Sequence, residues 1–388
     1  MTRPDFEQIQ QLLSNAQLDG WLIYDFQSLN PLALSVLHIP AEAHLTRRFF
    51  VWVPAQGEVK VLHNSIEGGT WKTLSHDWNV TLHAYRGHAD LQPLLESLLK
   101  PGMKVAMEYS PMGSVPYVGR VDAGTIERVK ALGVDVVSSA DLLQHFFKWS
   151  SEDLEAHQRA VEVLMEAKDA AFEFIRSKVK LGQSVDELSV QAVISETLRR
   201  GGLHFDHPAI VGFAGHAGDP HYAPNPEGNR TLQKGDCILL DLWGQEPGRP
   251  YADVTWMGFY GEPSENFLKA WEAVKGGRDI ALEQIRAGKQ GWELDFAARK
   301  VIVDAGYGEA FTHRLGHSLG VQLHGPTANL DDLETRDTRT LLPHLAVTIE
   351  PGIYLPEQDF GIRSEVNVVL LEDQALVTTP VQQDLIFI

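Results

Sequence analysis

Four acidic residues and one histidine in the C-terminal half carry types and spacings that can do chemistry. Cys237-Ile-Leu-Leu-Asp241-Leu-Trp243 reads as an apolar strand with one acid, and Tyr251-Ala-Asp253-Val-Thr255 as a second. The turn Gln245-Glu-Pro-Gly-Arg-Pro250 between them makes the pair a hairpin that brings Asp241 and Asp253 together. Two bare carboxylates side by side in apolar surroundings repel, and one must stay protonated unless a cation removes the cost. Further donors follow. Leu345-Ala-Val-Thr-Ile-Glu350 is a strand ending in an acid, Phe360-Gly-Ile-Arg363-Ser-Glu365 is a strand with its acid inside, and His313-Arg-Leu-Gly-His317-Ser-Leu-Gly320 is a glycine-punctuated loop. Four carboxylates and an imidazole make a hard donor set that suits Mn²⁺ first, with Co²⁺, Zn²⁺ or Fe²⁺ as alternatives. Carboxylates can also bridge two ions about 3.5–4 Å apart, as in two-metal hydrolases. Taken singly, each residue has an ordinary explanation: a strand acid can cap a hairpin, a loop histidine can be a satisfied structural group, and Glu350 before Pro351 can begin a turn. The joint pattern is what points to chemistry.

The elements that must position these residues recur. Ser150 with Asp153 marks a capping box before a long helix, along which Leu154, Val161, Leu164, Phe172, Ile175 and Val179 keep helical spacing. Ser184 with Glu187 repeats the capping pattern before a second helix that stops at Gly201-Gly202. Ser264 opens another long helix, ending near Gly288, and a further one ends near Gly306. The linkers Gly182-Gln-Ser-Val-Asp-Glu-Leu188 and Gly288-Lys-Gln-Gly-Trp-Glu-Leu294 match in their Gly, Glu and Leu, and the terminating glycines follow 13 and 12 residues later. This predicts an internal duplication, two α/β halves facing each other across a cleft lined by the acids and histidines.

The N-terminal part reads as a smaller α/β domain without a dense cluster of catalytic types. Asp5–Asn15 predicts a helix, Gly20–Tyr24 a buried strand, and Phe49–Val53 with Val59–His63 a hairpin around Pro54-Ala-Gln-Gly57. Val105-Ala-Met predicts another strand, and Thr125–Leu132 a helix stopped by Gly133. The expected fold is therefore α/β (α+β), with domains at 1–147 and 148–388. A formal charge of −19 over 388 residues argues against nucleic-acid binding. No apolar run reaches the about 18–20 residues needed to span a bilayer, and the polar start Met1-Thr-Arg-Pro-Asp-Phe-Glu-Gln does not read as a signal peptide. With Cys237 the single cysteine, neither an intramolecular disulfide nor a cysteine-built zinc site can form, and a cytoplasmic location is expected.

The order Asp, Asp, His, Glu, Glu resembles the pita-bread metallopeptidases, that is prolidase, aminopeptidase P and methionine aminopeptidase, over about 148–388. The N-terminal part resembles their creatinase-like domain. The specific matches are His313-x-x-x-His317-x-x-Gly320, His324-Gly-Pro, Glu350-Pro-Gly-Ile-Tyr354, Gly361-x-Arg363-x-Glu365 and His221-Tyr222. The resemblance implies two divalent ions, one chelated by Asp241, the other bound by His317 and Glu350, with Asp253 and Glu365 bridging. It implies Glu350 as proton shuttle, His221 and His324 holding substrate and stabilising the oxyanion, and His313 and Arg363 fixing the proline side and a free carboxylate. The implied substrate is a small peptide with proline after the scissile bond, most simply a dipeptide, and the implied assembly is a homodimer. An aminopeptidase P acting on longer Xaa-Pro peptides, or a metal-free creatinase-like hydrolase or binding protein on the same fold, are the competing expectations. Two departures stand out. Eleven residues separate Asp241 from Asp253 where the family usually has ten, and Trp256 replaces the usual arginine after Asp-x-Thr.

Overall fold

The computed structural model describes residues 3–40 and 42–388, so the Met1-Thr2 start of the leader reading lies outside the described residues. The chain divides into two compact units, 1–146 and 147–388. In the first, α1 (Phe6–Asn15) starts where the Asp5 carboxylate accepts from the Gln8 N–H, and it leads into β1 (Gly20–Asp25). Next come α2 (Pro31–Val36), β2 (Phe49–Pro54), β3 (Lys60–Asn64), α3 (Gly68–Leu74), β4 (Thr81–Tyr85) and α4 (His88–Leu98). The unit ends with β5 (Lys104–Met107), α5 (Ala123–Lys130), β6 (Asp135–Ser138) and α6 (Ala140–Gln144). The six strands form one mixed sheet in the order β4-β3-β2-β1-β5-β6. The expected hairpin is there, with Phe50 opposite Leu62 and Val51 opposite Val61. Helix α5 begins two residues earlier than the pattern indicated because Asp122 caps it through the Thr125 N–H.

The second unit opens with α7 (Ser151–Lys180), α8 (Glu187–Arg200), β7 (Ile210–Phe213), β8 (Cys237–Gly244) and β9 (Ala252–Phe259). Helices α9 (Glu265–Gln284) and α10 (Gly291–Asp304) follow, then β10 (Ser318–Leu319), β11 (Ala346–Ile349), β12 (Gly352–Leu355) and β13 (Phe360–Arg363). The chain closes with β14 (Val366–Leu370), β15 (Ala375–Val377) and β16 (Ile386–Phe387). Two four-stranded sheets have corresponding orders, β7-β8-β9-β16 and β10-β11-β14-β15, and a separate hairpin pairs β12 with β13. The duplication extends to detail. Gly182 and Gly288 both take positive φ after the first helix of their half. The N-cap residues Asp186 and Gln290 both bridge to a threonine, Thr231 and Thr340, six residues before the next strand.

One local expectation is corrected. Helix α8 is capped by Asp186, whose carboxylate accepts from the Ser189 N–H, and not by Ser184. The Glu187 carboxylate points inward instead of back along the helix, because buried N–H groups of the first half need it as their acceptor (below). The box at Ser150 and Asp153 forms as expected, with both reciprocal bonds in place.

Candidate active site

The acids come together through strand register. On the β8–β9 ladder Asp241 faces Thr255 and Trp243 faces Asp253, so alternation puts all four side chains on one face. The ladder is unbroken from Cys237 opposite Phe259 to Gly244 opposite Ala252, and the extra residue between the aspartates is absorbed in the 245–251 turn. Trp256 falls on the opposite face, where its ring takes the Lys168 ammonium at 4.2 Å. The missing arginine therefore alters the contact between β9 and helix α7 and leaves the acidic face untouched.

The second half supplies the rest. Gly316 lies against β11 so closely that a Cβ would collide with the Thr348 carbonyl, and this approach seats His317. The Thr348 hydroxyl accepts from the His317 N–H at 2.9 Å and donates to Glu350 Oε1 at 3.0 Å. The His317 Nδ1–H donates to the Ser318 carbonyl, which leaves Nε2 facing Asp253 Oδ2 and Glu350 Oε1, each at 3.4 Å. Glu365 follows β13, and its Oε2 accepts from the Thr255 hydroxyl at 2.8 Å.

A cavity of about 290 Å³ is lined by Asp241, Asp253, His317, Glu350 and Glu365 together with His221, His313, His324 and Arg363. All nine positions singled out in the sequence thus share one cleft. Three carboxylate oxygens there, Asp241 Oδ1, Asp253 Oδ1 and Glu365 Oε1, are buried with no hydrogen-bond partner among the described residues. Asp253, His317 and Glu365 each offer a ligand atom within 4.8 Å of the others'. Buried acceptors without donors are expensive unless something positive meets them. Burial first, with Asp253 and Glu350 adding and Arg363 opposing, pushes the Asp241 carboxyl up to about 7. Burial and the neighbouring Asp253, Glu350 and Asp241 likewise raise Glu365 well above the usual carboxylate range. The donor set fits divalent cations, whose charge would relieve this crowding.

Arg363 meets a different arrangement from the carboxylate clamp expected of it. Its Nε donates to the Thr255 hydroxyl at 2.9 Å, Nη2 to Asp241 Oδ2 at 2.5 Å, and Nη1 to the Tyr354 hydroxyl at 3.0 Å and the Pro220 carbonyl at 3.3 Å. Tyr354 in turn donates to His313 Nε2 at 2.7 Å, while the His313 Nδ1–H donates to the Arg314 carbonyl at 2.6 Å. Burial pushes His313 down to about 4, which matches this neutral, directional relay. Arg363 and His313 are wired to protein groups on every side that these bonds occupy.

The sequence reading missed the groups that hold the cleft loops. Glu187, fully buried, accepts from the Phe213 N–H at 2.8 Å, His216 at 2.9 Å, the Tyr222 hydroxyl at 2.7 Å and the Arg230 N–H at 3.0 Å. It fastens the segment that carries His221. In the second half Asp295 on α10 accepts from the Leu315 N–H at 3.0 Å and from Arg299, which donates to the Phe311 and His313 carbonyls, each at 2.8 Å. Asn367 spans the halves by accepting from the Asp253 N–H at 3.0 Å and donating to its carbonyl at 2.6 Å. Alternation could have flagged Thr255 and Thr348, two residues from Asp253 and Glu350. Nothing local marks Asp295 or Asn367, and the local pattern at Glu187 points to a helix cap instead.

This fold and cleft define a metal-dependent hydrolase of the pita-bread type, and the chain belongs to metallopeptidase family M24, whose model matches residues 155–372. It is 29% identical to the putative dipeptidase YkvY of Bacillus subtilis over 80% of this chain and 81% of that one. The crystal structure of dipeptidase PepE from Mycobacterium ulcerans superposes with a TM-score of 0.72 at 25% identity, covering 100% of this chain and 99% of the other. The fold is also that of the prolidase from Thermococcus sibiricus, with a TM-score of 0.66 at 21% identity over 99% and 98% of the two chains. The chain is thus a metallopeptidase. No helix among the described residues is long and apolar enough to cross a membrane.

Proposed function

We propose that this metallopeptidase hydrolyses the peptide bond before proline in dipeptides, with Asp241, Asp253, His317, Glu350 and Glu365 holding two divalent ions, manganese foremost. The observation that carries the metal assignment is the set of three buried carboxylate oxygens without a partner among the described residues, Asp241 Oδ1, Asp253 Oδ1 and Glu365 Oε1, in the cleft where Asp253, His317 and Glu365 each offer a ligand atom within 4.8 Å of the others'. Such ions, when bound, lower the pKa of a water and polarise the scissile carbonyl. The protein's own groups do the rest. Glu350, fixed by Thr348 and open to the cavity, takes the water's proton and passes it to the leaving nitrogen. His221 and His324 line the cavity outside the ligand set and donate to the oxygen on which charge develops. Arg363 braces Asp241 and, through Pro220, the backbone beside His221.

The small cavity supports a dipeptide, since its 290 Å³ lies at the lower end of ligand pockets. The names of YkvY and PepE agree in class, and the prolidase fold supports proline after the cut bond. Hydrolysis of Ala-Pro, Ala-Ala and Ala-Pro-Ala with Mn²⁺ added tests the reading. Rapid cleavage of Ala-Pro alone is expected. Equal turnover of Ala-Pro-Ala would replace it with an aminopeptidase P-type activity, and equal turnover of Ala-Ala would remove the proline requirement.

A further inference from the structure

We propose that Arg314, held meanwhile by Glu334, receives the C-terminal carboxylate of the substrate. The inference rests on the dipeptidase reading and names the group that would make that selectivity. A dipeptide bound in a small cleft brings a carboxylate out of water, and that charge needs a cationic fork to offset its desolvation. Among the described residues, two arginines line the cavity, Arg314 and Arg363. Arg363 is 3% exposed and gives its nitrogens to Thr255, Tyr354, Pro220 and Asp241. Turning it toward a ligand would strip Asp241 of its donor and break the relay through Tyr354 to His313.

Arg314 is placed differently. It lies between His313 and His317, so the loop that brings these histidines to the cleft brings its guanidinium as well. Its side chain is 11% exposed, and its Nη1 stands 3.2 Å from Glu334 Oε2, while its backbone N–H donates to Glu334 Oε1 at 3.2 Å. Glu334 lines the same cavity with its side chain 43% exposed. The pair is therefore asymmetric, a sheltered cation joined to an acid at the mouth. The Arg314 charge also reaches the centre, where it helps keep Glu350 ionised and opposes protonation of His317 and His324.

This asymmetry permits exchange. Glu334 can turn into water, where hydration replaces an ion pair that is weak at such exposure. The more sheltered Arg314 stays at the cavity, and the substrate carboxylate takes the place of Glu334 on its guanidinium in bidentate form. A peptide that continues beyond proline offers an amide at that point and leaves Arg314 with Glu334. Selectivity for the dipeptide then comes from an internal carboxylate that only another carboxylate displaces.

Steady-state kinetics on Ala-Pro, Ala-Pro-amide and Ala-Pro-Ala, with the manganese-supplemented protein and its Arg314→Met, Arg314→Lys and Glu334→Gln variants, test the assignment. Wild type should prefer the free acid. In Arg314→Met that preference should collapse through a rise in KM for Ala-Pro of about 10–100-fold, the scale of a lost charged hydrogen bond, and Arg314→Lys should restore part of it. Glu334→Gln should lower KM for Ala-Pro, because the competitor has lost its charge. This second variant sits at the mouth and keeps the test open if Arg314→Met does not fold. An acid-over-amide preference that survives Arg314→Met, or a KM for Ala-Pro that rises in Glu334→Gln, overturns the Arg314 assignment and leaves the dipeptidase reading standing. A wild type indifferent to the free carboxylate overturns both.

Discussion

Asp253 Oδ2 lies 3.4 Å from His317 Nε2, and this contact joins the two duplicated halves at their chemical centre. Asp253 comes from β9 of the first half, and His317 from the loop before β10 of the second. Neither half alone gathers the donor set. The cleft exists because each sheet presents one polar strand face to the other, and Asn367 stitches the two together at the Asp253 backbone.

Replacement of Asp253 by Asn should remove both activity and bound metal. The amide keeps the shape but withdraws negative charge from the centre of the ligand set. The loss of metal affinity should exceed the about 10–100-fold typical of groups that only orient a ligand. Metal analysis of the purified variant beside wild type checks this. Full turnover with two retained ions would show the ligand assignment to be wrong.

Thr255→Val should weaken metal binding by about 10–100-fold without removing any ligand. Its hydroxyl donates to Glu365 and accepts from Arg363, so valine frees the carboxylate proposed as a ligand and unhooks the guanidinium at once. Titration of the metal-free protein with Mn²⁺ measures the effect. An unchanged affinity would mean that Glu365 needs no help from β9.

Glu187→Gln and His221→Ala should separate placement from chemistry. His221→Ala is expected to spare metal content and cut kcat by about 100-fold or more, the scale of a lost oxyanion donor. Glu187→Gln puts an amide N–H₂ where only donors now point, so the 213–230 segment should loosen. Faster proteolysis within that segment and a higher KM, with metal content intact, are the expected readouts. Wild-type proteolysis and KM in Glu187→Gln would show that the 213–230 segment holds without the Glu187 carboxylate.

Acid should destabilise the C-terminal unit through His157. Burial pushes this imidazole down to about 4, against the bond from its Nδ1–H to the Tyr251 carbonyl. Between pH 6.5 and about 4 the unfolded chain therefore binds a proton that the native one refuses. Stability from this group is complete above pH 6.5 and falls as pH drops through that window, by roughly 3 kcal/mol at most. Urea unfolding of wild type and His157→Asn across pH 7 to 4 checks the sign. The variant, although weaker at pH 7, should show the shallower decline.

The sequence by itself determined the elements and the candidate donors, because those depend on near neighbours. A period of two places Asp241 and Asp253 on one face of a hairpin, and Ser150 with Asp153 starts a helix wherever that helix later packs. The matching linkers after Gly182 and Gly288 foretold the two halves, since each linker answers to the same local turn. Only the tertiary structure decided what the side chains meet. Arg363 and Asp241 are 122 residues apart, and Thr255 and Glu365 are 110 apart. No periodicity says whether a guanidinium on the cleft face turns toward a ligand or toward an acid on the facing sheet. Glu187 shows the same limit at shorter range. Its spacing from Ser184 suits a capping box, yet the buried N–H of Phe213 and the part-buried N–H of Arg230 need an acceptor, and leaving them without one costs more than a surface cap returns. Local rules place a residue on a face, and the packing of the two halves chooses its partner.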